Sequence, residues 1–172
     1  MADPPWHYND KALAGARGAE CKYPVMSIEE IKNLRVNGRL VRDITDRDSF
    51  LFLWVTFPQL EKAFEVIRAW GFTYKTLGFN WVKKNKSGSN FIGMGWYTRS
   101  NAEVCLIATK GHVSVLNHSI SSIIESVPQR HSAKPIIVRD LIVKLCGRLP
   151  RIELFAREKT RGWHAWGFDV TK

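Results

Sequence analysis

Residues 50–71 read FLFLWVTFPQLEKAFEVIRAWG and predict a strand that runs into a helix. The first six of these residues are continuously apolar and β-prone, which is typical of a strand buried on both faces of a sheet. Pro58 is expected to begin the helix, its apolar side chains recur at helical spacing, and Gly71 follows as a stop signal. A buried strand followed by an amphipathic helix indicates an α/β domain.

The rest of the chain alternates in the same way between apolar runs and helix-periodic segments. Ser27 and Glu30 form a capping-box pattern that predicts a short helix through Leu34. Pro135 and Gly147 bound another predicted helix. Further strands are predicted at residues 73–82, 102–109, 121–125 and 151–156, with a polar loop at residues 83–94. This alternation favours a mostly parallel sheet flanked by helices.

Length and composition favour one soluble domain. The chain has 172 residues, of which 45% are hydrophobic, so it can bury a core and is not mainly disordered. No apolar run approaches the roughly 20 residues that cross a bilayer, and no secretory signal is recognisable. Cys21, Cys105 and Cys146 lack close Cys or His neighbours, so we expect no metal site and no disulfide. Residues 1–172 are therefore predicted to form a single domain without membrane contact.

The charge balance is strongly basic. Lys and Arg number 26 against 16 Asp and Glu, a formal net charge of +10. Such a charge attracts polyanions, and nucleic acid is the natural candidate. A soluble protein that is merely basic remains an alternative, because charge alone does not identify a partner.

An acidic and aromatic elbow, Asp3-Pro4-Pro5-Trp6, stands near the start of the chain. The prolines fix φ and supply no N–H, so they hold the chain extended with carbonyl oxygens that the local backbone is not expected to satisfy. A carboxylate and a carbonyl beside an indole suit a planar base with an exocyclic amino group, because two acceptors can bind its N–H donors while the ring stacks. The alternative is an ordinary proline-rich turn.

Two polar segments border predicted helices and strands in the second half of the chain. His131 and Lys134 precede a helix whose amino end favours phosphate or carboxylate, although Ser132 could simply cap that helix. Glu153 and Arg157 flank an apolar pair at the end of the last predicted strand, where ligands bind in open α/β sheets. An ion pair at the strand edge is the alternative for these two residues.

A third segment, residues 93–99, combines glycines with aromatic side chains and an arginine. Trp96, Tyr97 and Arg99 could form a stacking platform for extruded bases, or the aromatics could form a buried corner. The preceding polar loop supplies the candidate nucleic-acid contacts Lys83, Lys84 and Lys86.

Taken together, these motifs resemble one family. The motifs are DPPW at 3–6, HYND at 7–10, KYPVMSIEEIKNL at 22–34, FLFLWVT at 50–56, AWGF at 69–72, NWVK at 80–83, GWYTRSNAEVCLIATKG at 95–111, HSAKP at 131–135, and RIELFARE with GWHAWG within 151–167. In this order and at these separations they are similar to the MT-A family of adenine-N6 methyltransferases, and most of all to its compact bacterial and phage members.

The resemblance implies a Rossmann-like methyltransferase fold, S-adenosylmethionine as cofactor, and adenine in nucleic acid as substrate, with DNA favoured and RNA left open. It implies a catalytic role for residues 3–6, with Trp6 and Tyr8 against the base. Asp3 and Lys134 are expected to contact the cofactor. Lys134 is also expected to contact the substrate, together with His131. Further cofactor contacts are implied at Glu153, Phe155, Arg157, Phe168 and Asp169. The resemblance also implies a cytoplasmic enzyme of a bacterial or phage-infected cell. Such an enzyme is expected to act as a homodimer or together with a partner subunit.

Two departures from the family pattern bear on this expectation. Members usually carry a buried strand that leads into DPPW, whereas only Met1 and Ala2 precede Asp3 here, so the central strand is predicted to be incomplete. Members also usually carry an Asn after the second WG, where this chain has Phe168. The alternative function is a catalytically inert, nucleic-acid-binding relative that serves as a partner subunit.

Overall fold

The computed structural model describes residues 1–7, 25–129 and 133–170. Within these ranges the helices are α1 (Ile28–Lys32), α2 (Val41–Ile44), α3 (Leu60–Ala69), which follows a 3₁₀ turn at Phe57–Gln59, and α4 (Ile137–Cys146). The strands are β1 (Arg35–Val36), β2 (Arg39–Leu40), β3 (Ser49–Val55), β4 (Thr73–Lys83), β5 (Ala102–Lys110), β6 (Ile123–Ser126), β7 (Ile152–Leu154) and β8 (His164–Trp166).

The main sheet is mixed. Its order is β3-β5-β4-β6, in which β5 runs antiparallel to both of its neighbours and β6 runs parallel to β4. Strands β7 and β8 pair parallel to each other. Ala2 joins the two groups, because it forms parallel bridges to Leu53 of β3 and to Leu154 of β7. The predicted α/β fold is confirmed, and β5 is the strand that keeps the sheet from being wholly parallel.

Met1 and Ala2 lie where the central strand of the sheet belongs. The Ala2 N–H donates to the Phe52 carbonyl at 2.8 Å, and the Ala2 carbonyl accepts from the Trp54 N–H at 2.9 Å. On the other side the Met1 carbonyl accepts from the Leu154 N–H at 2.9 Å. The strand predicted to be incomplete is thus short, yet it is paired on both edges and carries Asp3 out of the sheet.

Two apolar cores cover the two faces of the sheet, and β3 contributes to both. Leu51, Leu53 and Val55 pack in the core that contains α3, whereas Phe52 and Trp54 pack in the core that contains α4. This alternation confirms that β3 is buried on both faces, as its continuous apolar run predicted. The flanking helices give the Rossmann-like layering of helix, sheet and helix.

Most predicted elements are found with boundaries shifted by a few residues. Ser27 and Glu30 form the predicted capping box of α1, with the Ser27 N–H donating to the Glu30 carboxylate at 2.7 Å. The predicted strand at 151–156 is too long at its carboxyl end. Strand β7 stops at Leu154, and Phe155 adopts a left-handed φ of 61°.

Four short elements were not predicted: β8, α2, and the strands β1 and β2, which form a hairpin. The hairpin did have a sequence signal, because it turns through Asn37 and Gly38, both with positive φ (50° and 82°), and Asn-Gly is the preferred pair for such turns. Its strands have two residues each, which is too short for a period to show. Across the described ranges, no helix has the length and apolar character that a bilayer crossing requires. The single domain and the cytoplasmic location stay predictions.

Candidate active site

A cavity of about 420 Å³ opens where the chain leaves the sheet after Ala2. Its wall includes Val55 at the end of β3, residues 155–157 after β7, and residues 166–169 at the end of β8 and beyond. These strands run parallel to the Ala2 segment, so their carboxyl ends meet at one edge of the sheet. This is the edge at which open α/β sheets bind ligands.

The cavity brings together most of the residues that the sequence singled out as catalytic or cofactor-binding. The predicted residues that line it are Asp3, Pro4, Pro5, Trp6, Lys134, Phe155, Arg157, Phe168 and Asp169. These residues lie near the two ends of the sequence. They become neighbours because Ala2 pairs with both β3 and β7. Tyr8 and His131, predicted to contact substrate, lie outside the described residues.

The elbow at residues 4–6 is held by its own backbone and by the start of α1. The Trp6 N–H donates to the Pro4 carbonyl at 2.9 Å, and the Met26 N–H donates to the Pro5 carbonyl at 2.9 Å. The Trp6 indole N–H donates to the Trp54 carbonyl at 3.1 Å. The expectation that local backbone leaves these carbonyls unsatisfied is therefore wrong for Pro4, whereas the Pro5 carbonyl is bound only by a residue distant in sequence. Each carbonyl oxygen retains a second lone pair.

The carboxylate of Asp3 is held by Lys134, which lies 131 residues away in sequence. The Lys134 ammonium is 2.8 Å from both Asp3 carboxylate oxygens. It also lies 3.2 Å from Glu103 and 5.7 Å from the centre of the Trp54 ring. Lys134 therefore fixes the direction of the Asp3 carboxylate against the cavity.

Glu103 is a cavity residue that the sequence analysis missed. It is the second residue of β5 and accepts from Lys83 at 2.5 Å as well as pairing with Lys134. The available signal was a carboxylate that directly precedes the apolar run VCLIA in the strand AEVCLIATK. A charge in such a position requires a partner, since buried charges are paired.

Burial and pairing set the ionisation of this cluster. Burial raises the pKa of Asp3 above its ordinary 3.8, although the Lys134 ammonium opposes the shift. Burial acts to lower the pKa of Lys134, but the carboxylates of Asp3 and Glu103 outweigh it and raise that pKa. Burial acts to raise the pKa of Glu103, but Lys134 and Lys83 outweigh it and lower that pKa. Lys134 is thus a permanent cation beside a carboxylate that can take up a proton.

The wall after β7 turns sharply at Phe155. Its φ of 61° is unusual for a bulky residue and marks local strain. The ring packs edge-on against Trp166 with centroids 6.0 Å apart. At Gly167 a Cβ would lie 2.6 Å from backbone atoms of Ala156, so only glycine allows these two chain segments to approach. The turn and the glycine together shape this side of the cavity.

Glu153 is not among the residues that line the cavity. Arg139 of α4 donates to its two carboxylate oxygens at 2.7 and 2.9 Å. Both side chains are 12% exposed. The ion pair that was left open as the alternative for Glu153 is present, and it is buried rather than at a solvated strand edge. The contact of Glu153 with the cofactor stays a prediction.

The loop at residues 84–101 presents aromatic side chains to solvent. Trp96 is 77% exposed and Tyr97 is fully exposed, so the alternative of a buried aromatic corner is wrong. Arg99 is exposed as well. None of these three is among the residues that line the cavity. The loop folds back on itself through a bond from the Gly93 N–H to the Ser100 carbonyl at 2.8 Å.

The three predicted lysine contacts differ from one another. Lys86 is exposed. Lys84 pairs with Glu125 at 2.9 Å and donates to the Asn90 amide oxygen at 2.9 Å. Lys83 points inward to Glu103 and is only 20% exposed. Within the ranges described, no cluster of His, Cys, Asp and Glu has the arrangement of a metal site.

Comparison with known proteins identifies the family. Residues 1–169 match MT-A70. The chain belongs to the MT-A70 family. It is 32% identical to the type II methyltransferase M.MunI of Mycoplasma sp, over 98% of this chain and 76% of that protein. It is 28% identical to the N(6)-adenosine-methyltransferase MT-A70-like of Arabidopsis thaliana and 27% identical to the human N(6)-adenosine-methyltransferase catalytic subunit METTL3.

Coverage of these relatives is unequal. The chain spans about three quarters of M.MunI but only 23% and 25% of the plant and human proteins. The family and these relatives confirm the predicted resemblance, the Rossmann-like fold and the class of enzyme, an adenine-N6 methyltransferase.

Proposed function

We propose that this chain transfers the methyl group of S-adenosylmethionine to N6 of adenine in nucleic acid, with DNA the better substrate. The observation that carries the proposal is the Asp3 carboxylate, fixed by Lys134 at 2.8 Å on the wall of a 420 Å³ cavity. A carboxylate held in place by one ammonium keeps acceptor positions for a ligand, because its two oxygens offer about four lone-pair sites.

The adenine base fits the part of the cavity formed by the elbow. Its amino group has two N–H donors, and the Asp3 carboxylate and the second lone pair of the Pro4 carbonyl are the acceptors that match them. Trp6 lines the same cavity and is fixed by its bond to the Trp54 carbonyl. A fixed aromatic ring gives a base a surface to pack on without further ordering of the side chain.

The methyl donor fits the remaining wall. S-adenosylmethionine has a planar aromatic base, a ribose with two hydroxyls and an amino-acid end with a carboxylate. The wall offers aromatic surface at Phe155 and Trp166, an acceptor for hydroxyls at Asp169, and a guanidinium at Arg157. The volume of about 420 Å³ lies in the range of small-molecule sites. When bound, the cofactor supplies an electrophilic methyl group on a sulfonium.

The residues of the chain then contribute orientation and electrostatics. The amino nitrogen of adenine is a weak nucleophile because its lone pair is delocalised into the ring. Hydrogen bonds from its N–H groups to Asp3 and Pro4 favour a more tetrahedral nitrogen whose lone pair is available to the methyl carbon. With the cofactor bound, the nitrogen would form a bond to the methyl carbon while the carbon–sulfur bond breaks, and the surplus proton would leave the nitrogen. The raised pKa of Asp3 suits it to accept that proton.

The positive charge and the exposed aromatic side chains of the chain favour binding of nucleic acid. The net charge is +10, and the loop at residues 84–101 adds exposed Trp96 and Tyr97 as surfaces on which bases can stack. We favour DNA because the chain resembles compact bacterial and phage members, and because a relative of which it covers 76% is a type II methyltransferase.

The proposal is tested in two steps. Calorimetric titration with S-adenosylmethionine should show saturable binding. DNA and RNA oligonucleotides of matched sequence, supplied together with a labelled methyl donor, should both be analysed for label, and DNA should receive more of it. Binding without any transfer to either substrate would support the inert partner subunit instead. A strong preference for RNA would overturn the choice of DNA while leaving the chemistry intact.

A further inference from the structure

The base of the loop at residues 84–101 is closed by two charged residues. Lys83 is the last residue of β4, and Glu103 is the second residue of β5. The Lys83 N–H donates to the Asn101 carbonyl at 2.9 Å, and the two side chains meet at 2.5 Å. An ion pair therefore joins the two strands at the point where the loop begins and ends.

The same carboxylate reaches the active site. One oxygen of Glu103 accepts from Lys83, and the other lies 3.2 Å from Lys134, which holds Asp3 at 2.8 Å. The four side chains form a row of alternating charge, and each is largely withdrawn from solvent. Their side-chain exposures are 20% for Lys83, 14% for Glu103, 13% for Lys134 and 26% for Asp3.

We propose that Lys83 is a positioning residue, which acts through Glu103 and Lys134 to hold the Asp3 carboxylate ionised and correctly aimed. Lys83 is separated from Asp3 by two intervening side chains, so its role is indirect. The inference rests on the proposed function, because it takes Asp3 as the group that receives the adenine amino group. Through these contacts Lys83, which directly precedes the loop at residues 84–101, is coupled to the catalytic carboxylate of Asp3.

The surroundings of Lys83 argue against the phosphate contact predicted from the sequence. Its ammonium lies 5.0 Å from the centre of the Trp81 ring and is already bound to Glu103. A phosphate would have to break that pair and leave the Glu103 carboxylate with Lys134 alone. Lys84 is next in the chain, but its partner Glu125 is 55% exposed, so Lys84 can exchange that partner for phosphate at little cost.

Charge balance gives the direction of the expected effect. With two ammonium and two carboxylate groups the row is neutral, and loss of Lys83 leaves a net charge of −1. A negative surplus beside Asp3 raises its pKa further, because it disfavours the second negative charge. Arg157 also acts on Asp3 and lowers its pKa. The Cys105 thiol is nearby, but burial raises its pKa, so it stays neutral and adds no charge.

The experiment compares lysine variants at the base of the loop. Lys83→Met should lower kcat by about 10- to 100-fold, the range of loss that a misplaced catalytic group can cause, with KM for nucleic acid changed less than about twofold. The acidic limb of its pH–rate profile should move to higher pH. Lys83→Arg keeps the charge and should restore most of the rate. Lys75→Met, at an exposed position of the same strand, is the control that removes one charge without these effects.

Lys84→Met supplies the contrasting signature. It should raise KM and reduce the slope of log affinity against log salt by about 0.9, the change for one lost phosphate contact on a duplex. If Lys83→Met gives that signature instead, with kcat and the acidic limb unchanged, the positioning role is overturned and Lys83 is a phosphate contact.

A readout without turnover separates this inference from the proposed function. Carbon-13 NMR of the Asp3 carboxyl should show its titration shifted to higher pH in Lys83→Met and in Lys83→Gln, which keeps a donor to Glu103 but no charge. Thermal midpoints of both variants establish that folded protein is titrated. An unchanged Asp3 titration in both variants would overturn the coupling, even if wild-type protein methylates adenine. A shifted titration in a protein without methyl transfer would sink the proposed function alone.

Discussion

Two ion pairs, Asp3–Lys134 and Glu153–Arg139, have similar distances between their charged atoms, but only the first lines the cavity. Lys134 lies 2.8 Å from Asp3, and Arg139 donates to Glu153 at 2.7 and 2.9 Å. Asp3 lines the cavity and is 26% exposed, whereas Glu153 lies outside the lining and is 12% exposed. One carboxylate is bound by a single ammonium, and the other is bound by a guanidinium that matches both of its oxygens.

The difference shows that pairing alone does not mark a functional carboxylate. A bidentate guanidinium occupies both oxygens in a rigid geometry and stabilises the packing of α4 against β7. A single ammonium orients the carboxylate of Asp3 and leaves acceptor positions facing the cavity. We therefore expect variants at Asp3 to affect turnover and variants at Glu153 to affect stability.

The largest effect is expected for Asp3→Asn. The amide keeps the size of the side chain but replaces one acceptor oxygen by a donor, so it repels one N–H of the adenine amino group. The methyl-transfer rate should fall by about 10²–10⁴-fold, the range of a lost catalytic acid–base or electrostatic contact. Single-turnover rates at matched concentrations of folded protein measure this, and a loss below about tenfold would contradict the role of Asp3.

Glu153→Gln should instead destabilise the fold. It leaves the buried Arg139 guanidinium with only the exposed Glu158 carboxylate at 3.9 Å, and breaking a buried ion pair typically costs about 3–5 kcal/mol. Denaturant unfolding measures the loss, and the transfer rate per folded molecule should stay close to that of wild type. The double variant Arg139→Met and Glu153→Met is the control, because it removes both charges and should recover most of the stability. A stable Glu153→Gln protein with little activity would reverse the comparison.

Lys134→Met should change how turnover depends on pH. Burial raises the pKa of Asp3, so the wild-type rate should fall on acidification at a pH above the ordinary aspartate value of 3.8. Lys134 opposes this shift, and its removal should move the acidic limb to still higher pH because the ionised carboxylate loses its counter-charge. The pH–rate profiles of the two proteins measure this. A limb that stays in place or moves to lower pH would show that Lys134 does not act on Asp3.

Phe168→Asn should give the smallest effect, on cofactor affinity. Phe168 lines the cavity and is 64% exposed, so it is not a core residue whose loss would unfold the turn. An amide there can donate to or accept from a ribose hydroxyl, a contact typically worth about 0.5–1.5 kcal/mol. Calorimetry should show S-adenosylmethionine binding several-fold more tightly, with the thermal midpoint unchanged. Weaker affinity together with a lowered midpoint would argue for a packing role.

The sequence predicted the parts of this site that short motifs carry. The apolar run before Thr56 and the capping box of α1 were found because strand and helix periods are local signals. The DPPW elbow and Lys134 were placed at one site through the family resemblance. Their contact joins residues 131 positions apart, and no local pattern of residues specifies such a contact.

Features that arise from packing could not be predicted in this way. The positive φ of Phe155 occurs beside the close approach of Gly167 to Ala156, and that approach requires β7 and β8 to be paired. Glu153 was assigned to the cofactor because it stands at a strand end, but its direction is decided by Arg139 of α4. Glu103 was overlooked because the apolar residues around it predict only a strand. In each case the deciding neighbour is distant in sequence.

The identity of the methylated nucleoside tests the proposed methyl transfer to adenine N6 most directly. Wild-type protein is incubated with S-adenosylmethionine carrying a labelled methyl group and with adenine-containing DNA or RNA, which is then digested and separated. The proposed transfer to adenine N6 predicts label in N6-methyladenine, dependent on the cofactor and lost in Asp3→Asn protein that still unfolds at the wild-type midpoint. Absence of labelled N6-methyladenine from both nucleic acids, or equal labelling by Asp3→Asn, would contradict it.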